Sequence, residues 1–189
     1  KITAVEIDPV IIHLGEKYHP QKPYQSEKVN IIKNDARNFI QHTKKKYDLI
    51  VYGMLDSHSS LSGKGGIRLD SYVYTVESFK EARKILSDDG YLSLSFNLSE
   101  ATLGLKIYAM LTEAFNGKEP LVISHYKEDT EKFKMQPYAF IIGKNIDKNF
   151  KIENQEVNSV TFFGNKSELS KIDISTDNWP FFYMPQKIW

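Results

Sequence analysis

Hydrophobic residues along the chain follow a strand period and a helix period in turn. Residues 2–7 form an apolar, β-branched run that predicts a strand. Asp8 then supplies a helix N-cap and Pro9 suits a first helical turn, so a helix is predicted over 9–18. The pattern therefore indicates a strand followed directly by a helix.

The same alternation continues through most of the chain. It predicts strands at 29–32, 47–52, 91–96, 121–125 and 138–142, helices at 36–45 and 72–86, and a turn at 88–90. Asp35 ends the strand at 29–32. A further helix is predicted from a cap at Ser99 to about residue 115, with Glu100 in its first turn. The stretch 53–69 is longer than an ordinary loop, and loops of that length are often functional. After residue 143 the pattern weakens, with a short strand predicted at 160–163.

Strands alternating with helices indicate an α/β fold with a mostly parallel, Rossmann-like sheet that ends in an antiparallel strand pair. We expect one domain over 1–145 and a C-terminal extension over 146–189, whose aromatic TDNWPFFY motif packs on that domain. Ligands bind such sheets beyond the carboxyl ends of the strands. That rule selects three places: Glu6 with Asp8, Asp35 with Ala36, and residues 53–56.

Composition excludes several classes of function. The chain carries 25 Lys and Arg against 24 Asp and Glu, and a net charge of +1 argues against binding nucleic acid through bulk charge. The absence of Cys excludes disulfides, thiolate metal sites and a Cys nucleophile. The five His have no metal-ligand spacing, so no metal is expected. Apolar stretches fall far short of the roughly 20 residues that span a bilayer.

Each acidic strand end has a ligand-binding and a structural explanation. Glu6 is placed to accept two hydrogen bonds from a ribose diol. Asp8 is better explained as the N-cap of the next helix. Asp35 suits either an adenine amino group or the N-cap of the helix that begins at Ala36. Asp56, in the long loop, is either a binding carboxylate or part of a solvated turn.

Three motifs mark these strand ends in order: VEIDP at 5–9, NDAR at 34–37 and YDLIV at 47–51. Together they resemble the spermidine synthase family, which has the class I fold of S-adenosylmethionine-dependent methyltransferases. The similarity extends over about 2–143. The resemblance implies that Glu6 binds the ribose hydroxyls, that Asp35 lies near the adenine amino group with the backbone of Ala36 alongside, and that Ile7 also belongs to the cofactor-binding residues. It implies S-adenosylmethionine or its decarboxylated form as co-substrate.

The chain departs from that family at two points. Where the aminopropyltransferases have an Asp-Ser-Ser-Asp-like run, this chain has Gly53-Met54-Leu55-Asp56, so Gly53 replaces the Asp that acts on the attacking amine. Asp56 matches the second Asp, which implies a role in catalysis and amine binding. The family's first strand and Gly-rich loop are expected to precede Lys1. They are therefore missing from this chain or are supplied by another copy.

Three further segments resemble a subgroup of spermidine synthase-like proteins that is often attached to a multi-spanning membrane segment: LDSHS at 55–59, RLDSYVYTVES at 68–78 and DNWPFFY at 177–183. The resemblance implies a homodimer on the cytoplasmic side, tethered to the inner membrane through a segment absent from this chain. Because the sequence begins without Met, we expect it to be part of a longer protein.

Two hypotheses of function follow. In the first, a transferase domain binds the nucleotide donor and transfers a methyl or an aminopropyl group to a small-molecule acceptor such as an amine. Asp56, Tyr72 and Tyr74 would line the acceptor pocket, although helix packing also explains the two tyrosines. In the second, the chain is a non-catalytic nucleotide-binding or regulatory module of a membrane protein, as the replacement of an Asp by Gly53 suggests.

Overall fold

The computed structural model describes residues 1–53, 69–98, 100–124, 136–145, 158–160 and 169–184. Its contacts divide the chain into two compact units, 1–44 and 45–189. Strands and helices alternate in both units, which confirms the predicted α/β class.

The first unit contains a pair of parallel strands and two α-helices. Its elements are β1 (Ile2–Glu6), α1 (Pro9–Tyr18), a 3-10 helix (Pro23–Gln25), β2 (Val29–Lys33) and α2 (Ala36–His42). The two strands pair in register from Ile2 opposite Val29 to Glu6 opposite Lys33. Helix α1 has the predicted bounds, whereas α2 ends three residues early because Thr43 adopts an extended backbone.

In the second unit, the described residues form a five-stranded sheet. Its elements are β3 (Tyr47–Tyr52), a 3-10 helix (Leu69–Val73), α3 (Val76–Ile85), β4 (Leu86–Leu98), α4 (Ala101–Ala114), β5 (Leu121–Ser124), β6 (Gln136–Gly143) and β7 (Asn158–Val160). The strand order is β3-β4-β6-β5-β7. Strands β3 and β4 are parallel, while the remaining neighbours are antiparallel. The sheet is therefore mixed, and β5 with β6 forms the predicted antiparallel pair.

The turn predicted at 88–90 is wrong, since β4 runs straight through that triplet. The register with β3 shifts between the pair Tyr47–Leu86 and the pair Leu49–Tyr91, so the extra residues are absorbed in a bulge. A Cβ atom on Gly90 would lie 2.8 Å from the carbonyl oxygen of Tyr47. Glycine is therefore required there by close backbone approach within a strand.

Two predicted helix starts also need correction. Helix α3 begins at Val76 instead of residue 72, because Thr75 is its N-cap and accepts a hydrogen bond from the backbone N–H of Ser78 at 3.2 Å. Helix α4 begins at Ala101, with Glu100 at the N-cap position and not in the first turn. Residue 99, the predicted cap, lies outside the described residues, as do 161–163 of the last predicted strand.

The core of the second unit lies on one face of its sheet. Alternate side chains of β4 that point to this face are 0–2% exposed: Leu92, Leu94, Phe96 and Leu98. They pack with the buried sides of α3 and α4. On the opposite face, Leu49 and Val51 of β3 are 57% and 62% exposed.

Candidate functional site

Glu6 and Asp35 lie at the same end of the first unit's parallel strand pair. Glu6 is the last residue of β1 and is opposite Lys33 in the register. The backbone N–H of Asn34 donates to the carbonyl of Glu6 at 3.1 Å, and Asp35 follows at once. The carboxyl end of parallel strands is where open α/β sheets bind ligands. The fold thus brings both predicted nucleoside-binding residues to one edge.

The half-buried carboxylate of Glu6 is oriented by the backbone. Its Oε1 accepts a hydrogen bond from the N–H of Asp8 at 2.9 Å, and the second carboxylate oxygen, Oε2, is a further acceptor. Asp8 caps α1, because its Oδ1 accepts from the N–H of Val10 at 2.7 Å. Beside Glu6, Ile7 is 54% exposed and offers an apolar surface.

Asp35 is the N-cap of α2. Its Oδ1 accepts a hydrogen bond from the N–H of Asn38 at 2.8 Å, and the amide of Asn38 donates to Asn34 at 2.9 Å. The capping explanation and the ligand explanation are compatible, because a carboxylate has two oxygens. Oδ2 of Asp35 and the first-turn N–H of Ala36 form an adjacent acceptor and donor. That pair is complementary to the amino group and a ring nitrogen of adenine.

The carboxyl end of β3 in the second unit is marked by Gly53. This residue is half-buried, and a Cβ atom added to it would meet no atom of the described residues within 4 Å. Within the described part of the chain, nothing opposes a side chain at this position, where the resemblance implies a carboxylate. Asp56, the predicted catalytic and acceptor-binding residue, lies outside the described residues.

Tyr72 and Tyr74 have different environments. Tyr72, in the 3-10 helix, is 36% exposed, whereas Tyr74 is 1% exposed. The ring of Tyr74 stacks on Phe182 with centroids 4.6 Å apart and meets Phe96 edge-on at 5.6 Å. The structure therefore brings Tyr74 to the carboxyl end of β4, as part of an aromatic cluster.

Residues 169–184, here called the C-terminal segment, pack against α3 and α4. The carbonyl of Ser175 accepts a hydrogen bond from the N–H of Val76 at 3.0 Å, in the first turn of α3. The carboxylate of Asp177 accepts from the hydroxyl of Thr75 at 2.7 Å. First-turn N–H groups have no acceptor inside their own helix, so the segment satisfies one of them.

Lys106 of α4 makes the second attachment of the C-terminal segment. Its side chain is 1% exposed, and Nζ donates to the carbonyls of Phe181 at 2.8 Å and Met184 at 2.5 Å. Nζ also lies 4.4 Å from the ring centroid of Trp179. Burial lowers the pKa of Lys106 from 10.5 to about 7, with the charge of Asp173 opposing the shift.

The sequence patterns missed Lys106, Phe96 and Phe182 as parts of one assembly. A signal for Lys106 was present, because α4 is apolar almost all round and this lysine interrupts it. A second missed feature is Asn97, near the carboxyl end of β4. Its Oδ1 is buried and has no hydrogen-bond partner among the described residues.

The described part of the chain contains neither a metal-binding cluster nor a membrane-spanning helix. Within 1–53, 69–98, 100–124, 136–145, 158–160 and 169–184, His, Asp and Glu do not gather in groups of three that would hold a metal ion. No helix of the same ranges is both long enough and apolar enough to cross a membrane.

Comparison with known proteins identifies the family. Solved structures share the fold: a probable spermidine synthase from Corynebacterium glutamicum superposes with a TM-score of 0.60 at 18% identity, covering 82% of this chain and 50% of its own. Human methyltransferase-like protein 13, solved with SAH, gives 0.57 at 14% identity, covering 79% and 63%. Both have the class I methyltransferase fold. The family model described as Spermine/spermidine synthase domain matches residues 1–116, so the chain belongs to that family.

Two curated relatives described as polyamine aminopropyltransferases match this chain. A Polyamine aminopropyltransferase from Buchnera aphidicola is 33% identical over 123 residues, which cover 63% of this chain and 42% of the relative. Polyamine aminopropyltransferase 2 from Hyperthermus butylicus is 21% identical over 183 residues, covering 95% and 56%. The chain thus spans about half the length of these relatives.

Proposed function

We propose that this chain provides the donor-nucleoside site of a transferase that uses S-adenosylmethionine or its decarboxylated form. The supporting observation is that Glu6 and Asp35 lie together at the carboxyl end of a parallel strand pair, inside the family-matched region. Glu6 Oε2 would accept from a ribose hydroxyl. Asp35 and Ala36 would pair with adenine, and Ile7 would lie against the nucleoside.

The favoured reaction is aminopropyl transfer to an amine, because the curated relatives carry that description. The lone pair of the acceptor nitrogen attacks the carbon bonded to the sulfonium sulfur. The carbon–sulfur bond breaks and its electron pair stays on sulfur, while the nitrogen loses a proton. A positioned carboxylate assists that proton transfer by about 10²–10⁴-fold. Gly53 cannot do so, and Asp56, with Tyr72 and Tyr74, is proposed to hold the amine.

The glycine at position 53 also supports a second candidate, a nucleotide-binding module without catalysis. A domain that retains Glu6 and Asp35 but lacks the carboxylate at residue 53 would still bind the donor. It would then act as a sensor or regulator of a partner, in this proposal a membrane protein. Methyl transfer remains a third outcome, since positioning alone accelerates a reaction whose nucleophile needs little deprotonation.

We further propose that more polypeptide covers β3. This strand is at the edge of the sheet in the described residues, yet Leu49 and Val51 are more than half exposed. Apolar strands of this kind are normally covered on both faces. The family's first strand and Gly-rich loop, from a longer form of the protein or a second copy in a homodimer, would provide that cover. From the resemblance, we also propose that this domain is tethered to the membrane on the cytoplasmic side.

Calorimetric titration tests the proposed function. S-adenosylmethionine, its decarboxylated form and methylthioadenosine are titrated into the 189-residue chain and into a form extended at its amino end. Binding by either form supports the nucleoside site, and the preferred donor distinguishes methyl from aminopropyl transfer. Folded protein that binds none of the three in either form would refute the proposal. Donor binding without transfer to any amine would favour the regulatory module.

A further inference from the structure

We infer that Asn34 is a positioning residue, which holds the carboxylate of Asp35 in the orientation that recognises the amino group of adenine. The inference rests on the proposed function, since that function assigns Asp35 to the adenine. It adds the residue on which selectivity for a 6-aminopurine depends. Asn34 acts through Asn38 and not by touching the ligand. All of these residues belong to the first compact unit, 1–44.

Asn34 joins the two strand ends that carry the nucleoside-binding carboxylates. Its backbone N–H donates to the carbonyl of Glu6 at 3.1 Å, so the end of β2 is tied to the end of β1. Its side-chain Oδ1 accepts a hydrogen bond of 2.9 Å from Nδ2 of Asn38, in the first turn of α2. The residue is half-buried between these partners. One asparagine is thus bonded both to the strand that ends in Glu6 and to the helix that Asp35 caps.

Asn38 transmits this restraint to Asp35. The backbone N–H of Asn38 donates to Oδ1 of Asp35 at 2.8 Å, while its side chain is bonded to Asn34. Two successive residues of the turn before α2 are therefore bonded to one residue inside the helix. The direction of Oδ2 of Asp35 depends on the bond at Oδ1 and on the backbone of this turn. Both are restrained as long as the bond between Asn34 and Asn38 is present.

The short length of α2 makes these side-chain bonds important. The helix has seven residues, Ala36–His42, and isolated helices shorter than about 12 residues are marginal in water. Asn38 is exposed, so packing does not explain an asparagine there, and asparagine is a weaker helix former than alanine. The structural result of having an asparagine at this position is the bond to Asn34.

A carboxylate oxygen with a fixed direction selects for the exocyclic amino group of adenine. Oδ2 of Asp35 can only accept, so it favours a purine that carries an N–H donor on C6. A hydrogen bond weakens steeply as its angle is lost, so the preference depends on how well Oδ2 is held. Loosening Asp35 should therefore reduce the preference for the amino group, whereas the ribose contact of Glu6 should remain.

The test compares methylthioadenosine with its 6-deamino analogue, which has a hydrogen atom in place of the amino group. Calorimetric titration of the unaltered protein is expected to show about a tenfold preference for methylthioadenosine. Asn34→Ala is expected to lower that preference to about twofold, because only methylthioadenosine binds more weakly. Asn34→Asp keeps an oxygen that accepts from Asn38 and is expected to restore the preference. Asn30→Ala, at an exposed position of β2, is the matched control and should leave both affinities within about twofold.

Asn38→Ala separates positioning from a purely structural role. The substitution removes the amide that donates to Asn34, yet it raises the helix propensity of α2. A purely structural role predicts no loss of selectivity in this variant. The inference predicts the same fall of the preference to about twofold, with no further fall in the protein that carries both alanines.

An unchanged preference in Asn34→Ala or in Asn38→Ala would overturn the inference, as would an equal loss of affinity for both ligands. Binding without any preference in the unaltered protein would remove the contact to the amino group and the inference with it. The titrations use the 189-residue chain, or the amino-terminally extended form if only that form binds. Folded protein that binds neither ligand refutes the proposed function, whereas a preference that the variants leave intact refutes the inference alone.

Discussion

The hydroxyl of Thr75 donates a hydrogen bond of 2.7 Å to the carboxylate of Asp177, 102 residues further along the chain. The same hydroxyl oxygen accepts from the N–H of Ser78 and so caps α3. One side chain therefore performs a local and a long-range task. The bond from Ser78 fixes the start of α3, and the bond to Asp177 joins that start to the C-terminal segment.

Removing this hydroxyl is expected to destabilise the protein. Thr75→Ala loses the N-cap and the bond to Asp177, at a cost of about 1–2 kcal/mol in the free energy of unfolding. A double-mutant cycle with Asp177→Ala, followed by urea denaturation, is expected to give a coupling energy of about 0.5–3 kcal/mol. Thr102→Ala, on the exposed first turn of α4, should stay within about 0.5 kcal/mol. Additive effects of the two changes would contradict the coupling.

Asp35→Asn separates capping from ligand binding. The amide oxygen of Asn still accepts the hydrogen bond from Asn38, so the free energy of unfolding should change by less than about 0.5 kcal/mol. Its NH₂ group cannot accept from the adenine amino group, so methylthioadenosine affinity should fall about tenfold, for a loss of roughly 1.5 kcal/mol. Asp8→Asn is the matched control, because Asp8 also caps a helix. Equal donor affinities in the two variants would remove Asp35 from the site.

Gly53→Asp is expected to raise aminopropyl transfer. No atom of the described residues occupies the space for a side chain at this position, and the new carboxylate would assist removal of the amine proton. We expect kcat to rise at least about tenfold, measured as product formed from decarboxylated S-adenosylmethionine and a diamine. Gly53→Asn provides similar volume without a strong acceptor for the proton. A comparable gain in Gly53→Asn would attribute the effect to packing instead of proton transfer.

Burial of Lys106 makes stability depend on pH. Its pKa is about 7 in the folded protein against 10.5 for the ordinary side chain, because burial disfavours the charged form. Below about pH 7 both states are protonated, whereas between about 7 and 10.5 the unfolded state binds more protons. The free energy of unfolding therefore gains a component that rises with pH across that window.

Urea denaturation of the unaltered protein and of Lys106→Met between about pH 7 and 10.5 measures this contribution. The difference between the two free energies of unfolding at each pH is the contribution of Lys106. Asp173 and its opposing charge are present in both proteins, so their contributions largely cancel. The unaltered protein should show the steeper rise of unfolding free energy with pH. Parallel curves would show that Lys106 keeps an ordinary pKa in the fold. Either protonation state retains N–H donors for the two carbonyls, so the C-terminal segment should remain attached throughout.

The predictable part of the fold was its local part. Hydrophobic periodicity together with capping residues placed α1 and β3 with correct ends. The triplet at 88–90 was misread as a turn, because its Asp-Asp-Gly chemistry is the same in a turn and in a bulge. Only the neighbouring backbone at Tyr47 reveals that Gly90 serves a strand. Such information is not encoded in the local sequence.

The candidate site shows the same division. Glu6 and Asp35 were identifiable because strand ends can be read from the chain and the sheet rule places ligands there. The attachment between Lys106 and the C-terminal segment was not identifiable, since it joins residues 75 to 78 positions apart. A lysine in an apolar helix signals that a partner exists without indicating which segment supplies it.

That separation has a consequence for synthesis. Helix α4 leaves the ribosome before the carbonyls that accept from Lys106 have been made, and chains fold from the amino end as they emerge. Nζ of Lys106 must then stay hydrated, so it cannot be buried until its contact with the C-terminal segment closes a long loop. A polypeptide that ends before residue 175 would therefore leave Lys106 and the ring of Tyr74 uncovered. Such a chain would be a substrate for chaperones and proteases.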